Sequence, residues 1–128
     1  MFLDFEYKPR ICNPEKSQVL TEIDGIEKSF IVLENENGDY IQAGGGNKLF
    51  TVEVRIYRDN DDFSHWKAEI REFANTSKMV LNISESEVII QSNQAINRDL
   101  TKRLFESFFE GDYLSDIVSW KDIYSMFS

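Results

Sequence analysis

The residues from Ser29 to Ile90 leave room for little except antiparallel strands. Ser29-Phe-Ile-Val-Leu-Glu34 is an apolar, β-branched run, and Asn37-Gly38 follows it. That dipeptide favours a two-residue type I′ hairpin, because such a turn needs positive φ at both central residues. Tyr40 to Ala43 resumes as strand and stops at Gly44-Gly45-Gly46. From Phe50 to Tyr57 the pattern alternates with period two. Phe50, Val52, Val54 and Ile56 share one face, and Thr51, Glu53, Arg55 and Tyr57 the other. Asp59-Asn60-Asp61-Asp62 interrupts the run. Trp66, Ala68 and Ile70 then alternate against His65, Lys67, Glu69 and Arg71. Val80–Ile83 and Val88–Ile90 read as a further pair around Ser84-Glu85-Ser86-Glu87.

Helical signals flank this block. Leu3, Phe5 and Tyr7 alternate with charged residues, so the chain opens on a strand that Pro9 ends. Asn13-Pro14-Glu15 is a helix start, with Asn as cap and Pro at the first helical position. Val19, Leu20 and Ile23 give that helix its apolar face, and Gly25 stops it. Ser92-Asn93 offers a cap for a second helix, whose stripe is Ile96, Leu100, Leu104 and Phe108, widened by Phe105 and Phe109. Asp99 with Arg103, and Lys102 with Glu106, are spaced for i,i+4 pairs, and Gly111 suits the C-terminus. Ser119 to Tyr124 is expected to begin a short terminal helix. These signals predict an α+β domain spanning residues 1–128. Its antiparallel meander has about five to six strands, with two to three helices on one face.

In an up-and-down meander every second turn lies at the same end of the sheet. One end then gathers Glu34, Glu36 and Asp39, next Asp59, Asp61 and Asp62, and finally Glu85 and Glu87. The other end gathers Gly44 to Lys48 and the Ala74-Asn75-Thr76-Ser77-Lys78 connection, whose only charges are lysines. The pattern predicts one strongly acidic rim, which reads either as the ordinary polarity of turns, where Asp, Asn and Glu are common, or as a docking surface for something basic. A second surface is the polar sheet face, with Gln42, Glu53, Arg55, Lys67 and Glu69.

Net charge decides among partners. At −9 the chain lacks the basic footprint that nucleic-acid binding needs, and an anionic membrane would repel it. The charge favours basic protein partners through long-range steering. No stretch is apolar enough to span a bilayer, the first residues carry no basic or cleavable segment, and Cys12 is the single cysteine. A cytoplasmic protein is expected, which leaves the Asn75 and Asn82 glycosylation patterns without meaning.

The catalytic inventory is thin, and no enzyme is expected. The lone His65 falls on the polar face of a strand and reads as a surface residue. Cys12 has no evident base or resolving partner. Gly44-Gly45-Gly46-Asn47-Lys48 lacks both the spacing and the following helix of a phosphate loop. Asp59-Asn60-Asp61-Asp62 opens like a calcium loop, but Ser64 and Ile70 stand where glycine and glutamate are needed. One Cys and one His make no zinc site, so neither metal nor cofactor is expected. Glu53 and Glu69 are read as cross-strand partners of Arg55, Lys67 and Arg71 rather than as a carboxylate pair. Trp120 and Tyr124, spaced i,i+4 beside Ile123 and Phe127, are read as sealing a helix onto the sheet rather than as an aromatic binding patch.

Several blocks together resemble bacterial immunity proteins of contact-dependent inhibition and polymorphic-toxin systems. They are Phe30-Ile-Val-Leu-Glu34, Asn37-Gly-Asp-Tyr-Ile-Gln-Ala-Gly-Gly-Gly46, Thr51-Val-Glu-Val-Arg55, Leu104-Phe-Glu-Ser-Phe-Phe-Glu-Gly-Asp112 and Ser119-Trp-Lys-Asp-Ile123. The resemblance implies a non-enzymatic cytoplasmic protein that neutralises a cognate toxin C-terminal domain by stoichiometric binding. Such toxins are commonly nucleases with basic clefts, which the acidic rim would suit. Two rivals come from other classes. One is a small-molecule-binding or enzymatic α+β domain with a pocket between helices and sheet. The other is an adaptor for a basic protein.

Overall fold

The strand Leu49–Tyr57, whose alternation is the longest in the chain, lies at the middle of an eight-stranded antiparallel sheet in a computed structural model that describes residues 1–59, 62–71 and 76–127. In chain order the strands are β1 (Phe2–Phe5), β2 (Ile11–Cys12), β3 (Ser29–Glu34), β4 (Tyr40–Gly46), β5 (Leu49–Tyr57), β6 (Phe63–Glu69), β7 (Lys78–Ile83), β8 (Ser86–Gln91), β9 (Ile96–Asn97) and β10 (Ser119–Asp122). Helix α1 (Lys16–Asp24) follows β2, and α2 (Arg98–Phe109) follows β9. The sheet runs β10-β6-β5-β4-β3-β1-β2, with β9 beside the start of β5. The α+β architecture read from the sequence is therefore the one observed, and β3 to β6 are the expected meander.

Register follows burial. Leu33, Ile41, Val54 and Trp66 share one row, and Ile31, Ala43 and Val52 the next. Onto that face α1 lays Val19 and Ile23, and α2 lays Leu104, Phe105 and Phe108, all buried in one core. Each fully buried Phe contributes about 1.5–3 kcal/mol over an exposed one. The helices also meet on their outer sides, where Lys102 reaches Asp24 at 2.9 Å and Lys16 reaches Glu110 at 2.6 Å. Lys102 thus bridges to the other helix rather than to Glu106.

Several boundaries differ from expectation. Helix α1 starts two residues later than Asn13-Pro14 suggested: Glu15 is its cap, and Asn13 is left-handed at φ +52°. Ser92–Gln94 forms only a 3-10 turn and Ile96 belongs to β9, so Asn97 caps α2 by accepting from Leu100 N at 2.8 Å. At its other end Gly111 has φ +97°. Gly111 N donates to Phe108 O and Asp112 N to Ser107 O, the paired bonds of a Schellman stop. Ser119–Asp122 is a strand, not a helix. Trp120 stands opposite Ala68 and packs on the core, and pairing with the free edge of β6 overrides local helix propensity.

That occupied edge displaces the next hairpin. β7 and β8 pair only with each other, as a ribbon lying over the opposite face of the sheet. Leu81, Ile83, Val88 and Ile90 turn inward, while Val80 and Ile89 stay exposed. Gly44 makes room for the ribbon, since a Cβ there would come within 2.7 Å of Ile83 Cδ1. The ribbon tip is fastened by Ser84 N to Lys28 O at 2.9 Å and by Ser84 Oγ to Glu6 Oε1 at 2.6 Å. None of the described helices is long and apolar enough to cross a membrane.

Candidate protein-docking surface

The turns after β3 and β5 meet at one end of the sheet. Residues 35–39 do not form the two-residue turn expected at Asn37-Gly38. Gly38 N donates to Asn35 O at 3.1 Å, and of the two residues only Gly38 has positive φ, at +89°. Asn35 Oδ1 accepts from Asn37 N and Asp39 N at 2.8 and 3.1 Å, which closes a longer loop. The two-residue turn with positive φ at both positions occurs instead at Asn47-Lys48, between Gly46 and Leu49.

Asp39 is expected on the rim but is only 4% exposed. Its Oδ1 accepts from Tyr57 N at 2.7 Å and its Oδ2 from Asn35 Nδ2 at 3.0 Å, so it ties the first turn to β5. The Tyr57 ring lies against Gly38. Between the two turns an open cleft of about 520 Å³ is lined by Glu34, Asn37, Gly38, Tyr57, Arg58 and Asp59. Glu36 and Asp59 are exposed, and Asp62 is paired with Arg58 at 3.3 Å. Asp61 lies outside the described residues, as do Ala74 and Asn75 of the opposite connection.

Glu85 and Glu87 do not join this rim. Their hairpin left the meander, and its tip is held beside Lys28, which precedes the start of β3 and so marks the other end. That end is not purely basic either, since Glu27 accepts from Asn47 N at 3.0 Å there.

Next to the acidic cleft lies an aromatic cluster that the sequence reading divided differently. The Arg55 guanidinium stacks on Phe63 at 3.9 Å and on Phe127 at 4.8 Å from the ring centres. Phe63 also touches Tyr57 and Tyr124, at 5.8 and 5.1 Å. Tyr124, Met126 and Phe127 belong to a 3-10 turn, Tyr124–Phe127, that folds back over the sheet and leaves them 39, 74 and 47% exposed. Tyr124 is thus at the surface, whereas Trp120 does pack on the core as expected. Period-two alternation had placed Arg55 and Tyr57 together. The helical reading of the C-terminal residues hid Tyr124 and Phe127.

This turn buries His65, which is 1% exposed and not the surface residue expected. Its ring lies 4.4 Å from that of Phe127. Nδ1 accepts from Arg55 Nε at 3.0 Å, so Nε2 carries the ring proton and donates to Glu53 Oε1 at 2.6 Å. Lys67 Nζ stands 4.0 Å from the other Glu53 oxygen, and Glu69 accepts from Gln94 Nε2 at 3.0 Å. Burial pushes the nearby Tyr40 hydroxyl above its ordinary pKa. The histidine therefore holds β5 to β6 and carries the terminal turn. Among the described residues no group of three or more His, Cys, Asp or Glu could hold a metal.

The space between helices and sheet is filled by Phe50, Phe105 and Phe108, each fully buried. A cavity of about 280 Å³ lies on the opposite side, beneath the β7–β8 ribbon. No known family model matches the chain, and no curated protein matches it either.

Proposed function

We propose that this protein works by stoichiometric binding, neutralising a basic toxin domain in the manner of the immunity proteins its sequence resembles. The observation that carries the reading is the contact between the aromatic cluster and the acidic turns, made where the Tyr57 ring meets both Phe63 and Gly38. Protein interfaces are anchored by Tyr, Phe, Met and Arg at their centre and ringed by polar groups. Here Arg55, Phe63, Tyr124, Met126 and Phe127 form the centre, and Glu34, Glu36 and Asp59 form the edge. A net charge of −9 speeds encounter with a cationic partner, and the exposed acids orient it. A nuclease toxin, whose own substrate is a polyanion, is the partner chemistry this surface fits best. The encounter takes place in the cytoplasm of the protected cell and involves no catalysis by this chain.

Co-expression of the tagged chain with the C-terminal domain encoded by the gene directly upstream tests the reading. A one-to-one complex, weakened when Phe127→Ala is combined with Asp59→Lys, is the expected result. If no complex forms and the toxin still kills cells carrying this protein, the reading is wrong.

A further inference from the structure

The cavity beneath the β7–β8 ribbon is lined by polar groups that the fold itself leaves unpaired or only partly paired. Phe30, Ile83 and Val88 form its apolar walls, and Gln42, Thr51 and Glu53 its polar side. Thr51 is 7% exposed, and its Oγ1 is buried with no hydrogen-bond partner. A buried hydroxyl without a partner loses its bonds to water and gains none, so a fold with no use for it would be better served by valine. The Gln42 amide makes no hydrogen bond among the described residues. Glu53 gives one oxygen to His65; the other meets Lys67 only at 4.0 Å, beyond hydrogen-bond reach, and keeps its accepting capacity.

We infer that this cavity receives one lysine or arginine side chain of the basic partner, an inference that rests on the function proposed above. The chemistry fits a long cation with an apolar stem. The stem lies along Phe30, Ile83 and Val88. The head group donates to the Glu53 oxygen that Lys67 approaches at 4.0 Å and to the Gln42 carbonyl, and to Thr51 Oγ1 once rotation about Cα–Cβ turns that hydroxyl inward. At about 280 Å³ the cavity falls just below the range of roughly 300–1,000 Å³ typical of sites for whole small molecules, and suits a single side chain. It lies on the sheet face that bears the aromatic cluster, because Glu53 and Arg55 are alternate residues of β5. One partner surface can therefore engage both.

The test uses the isolated, isotope-labelled protein titrated with n-butylguanidinium chloride, with sodium chloride and n-butanol as controls. Saturable amide shifts at Gly44, Thr51 and Ile83, absent with either control, are expected. Thr51→Val should fold at least as stably as the parent yet bind the probe about fivefold or more weakly, as should Gln42→Leu. The same Thr51→Val change should weaken the toxin complex by a similar factor. No saturation, equal shifts with n-butanol, or shifts centred on Glu36 and Asp59 would each overturn the inference. So would a probe that binds while the toxin complex ignores Thr51→Val, since the cavity would then take a free cation and not a partner's side chain. A toxin complex that forms normally while the probe fails sinks only the inference. Absence of any complex sinks the function.

Discussion

His65 Nδ1 accepts a hydrogen bond from Arg55 Nε at 3.0 Å, so the chain's one histidine is committed to holding an arginine in place. Its other nitrogen is 2.6 Å from Glu53, and Phe127 covers the ring. The pair fixes the guanidinium plane on which Phe63 and Phe127 stack. His65→Phe keeps the volume but strands both partners. It should lower stability by about 2–4 kcal/mol, read from the urea midpoint. Phe127→Ala should cost about 1 kcal/mol and expose the ring. The two effects should not add, because the residues touch. Additive losses would show that the turn and the buried network are independent.

At the acidic end, scaffold and surface should separate cleanly. Asp39→Ala removes the acceptor for Tyr57 N and Asn35 Nδ2, and a loss of about 2 kcal/mol is expected in chemical denaturation. Glu36→Lys combined with Asp59→Lys touches only exposed side chains and should change stability by less than about 0.5 kcal/mol. The same double change should slow association with a basic partner about tenfold at low salt and less at high salt, measured by stopped flow. An unchanged rate would remove these acids from the docking surface.

Why the rim was only partly legible is visible in particular residues. Alternation in β3 to β6 set faces, register and turn positions, because one buried face makes a register slip costly. Glu34, Glu36 and Asp59 follow from that alone. Glu85 and Glu87 depended on the destination of β7. Nothing local distinguishes a strand that extends a sheet from one that crosses its face. The deciding event was remote: Ser119–Asp122, read as helix, took the edge of β6. The same error concealed the aromatic turn, since Tyr124 and Phe127 were assigned to a helix face that does not exist. Asp39 was misjudged for a different reason. A turn aspartate shows no sequence sign of whether it faces water or backbone amides.

The glycines discriminate between turn and packing roles. Gly46 has φ +119°, and a Cβ there would come within 2.6 Å of both Glu27 Cα and Ile26 O. Both obstacles are backbone, so Gly46→Ala should cost more than about 3 kcal/mol or prevent folding. Gly25 ends α1 at φ −91°, with nothing closer than 3.6 Å to a built Cβ. Gly25→Ala should therefore be neutral or stabilise by about 0.5 kcal/mol, through the unfolded chain. Thermal denaturation of both variants checks the contrast. A destabilised Gly25→Ala would mean that the helix end needs conformational freedom not visible in its dihedrals.

Acid should loosen the ribbon before it unfolds the sheet. Glu6 Oε1 accepts from Ser29 Oγ and Ser84 Oγ, both at 2.6 Å, and these bonds hold its carboxyl below its ordinary pKa of 4.5. A carboxyl whose pKa is depressed by folding contributes stability above the unfolded value and loses it as pH falls through the folded one. The clasp should thus be complete at pH 6 and fade below about pH 4.5. Glu6→Gln still accepts from both serines but does not titrate. Amide exchange of β7 and β8, compared between pH 6 and pH 3.5, should accelerate relative to β4 and β5 in the parent beyond the intrinsic pH effect. In Glu6→Gln that excess should vanish. An equal excess in both proteins would place the acid-sensitive contact elsewhere in the ribbon.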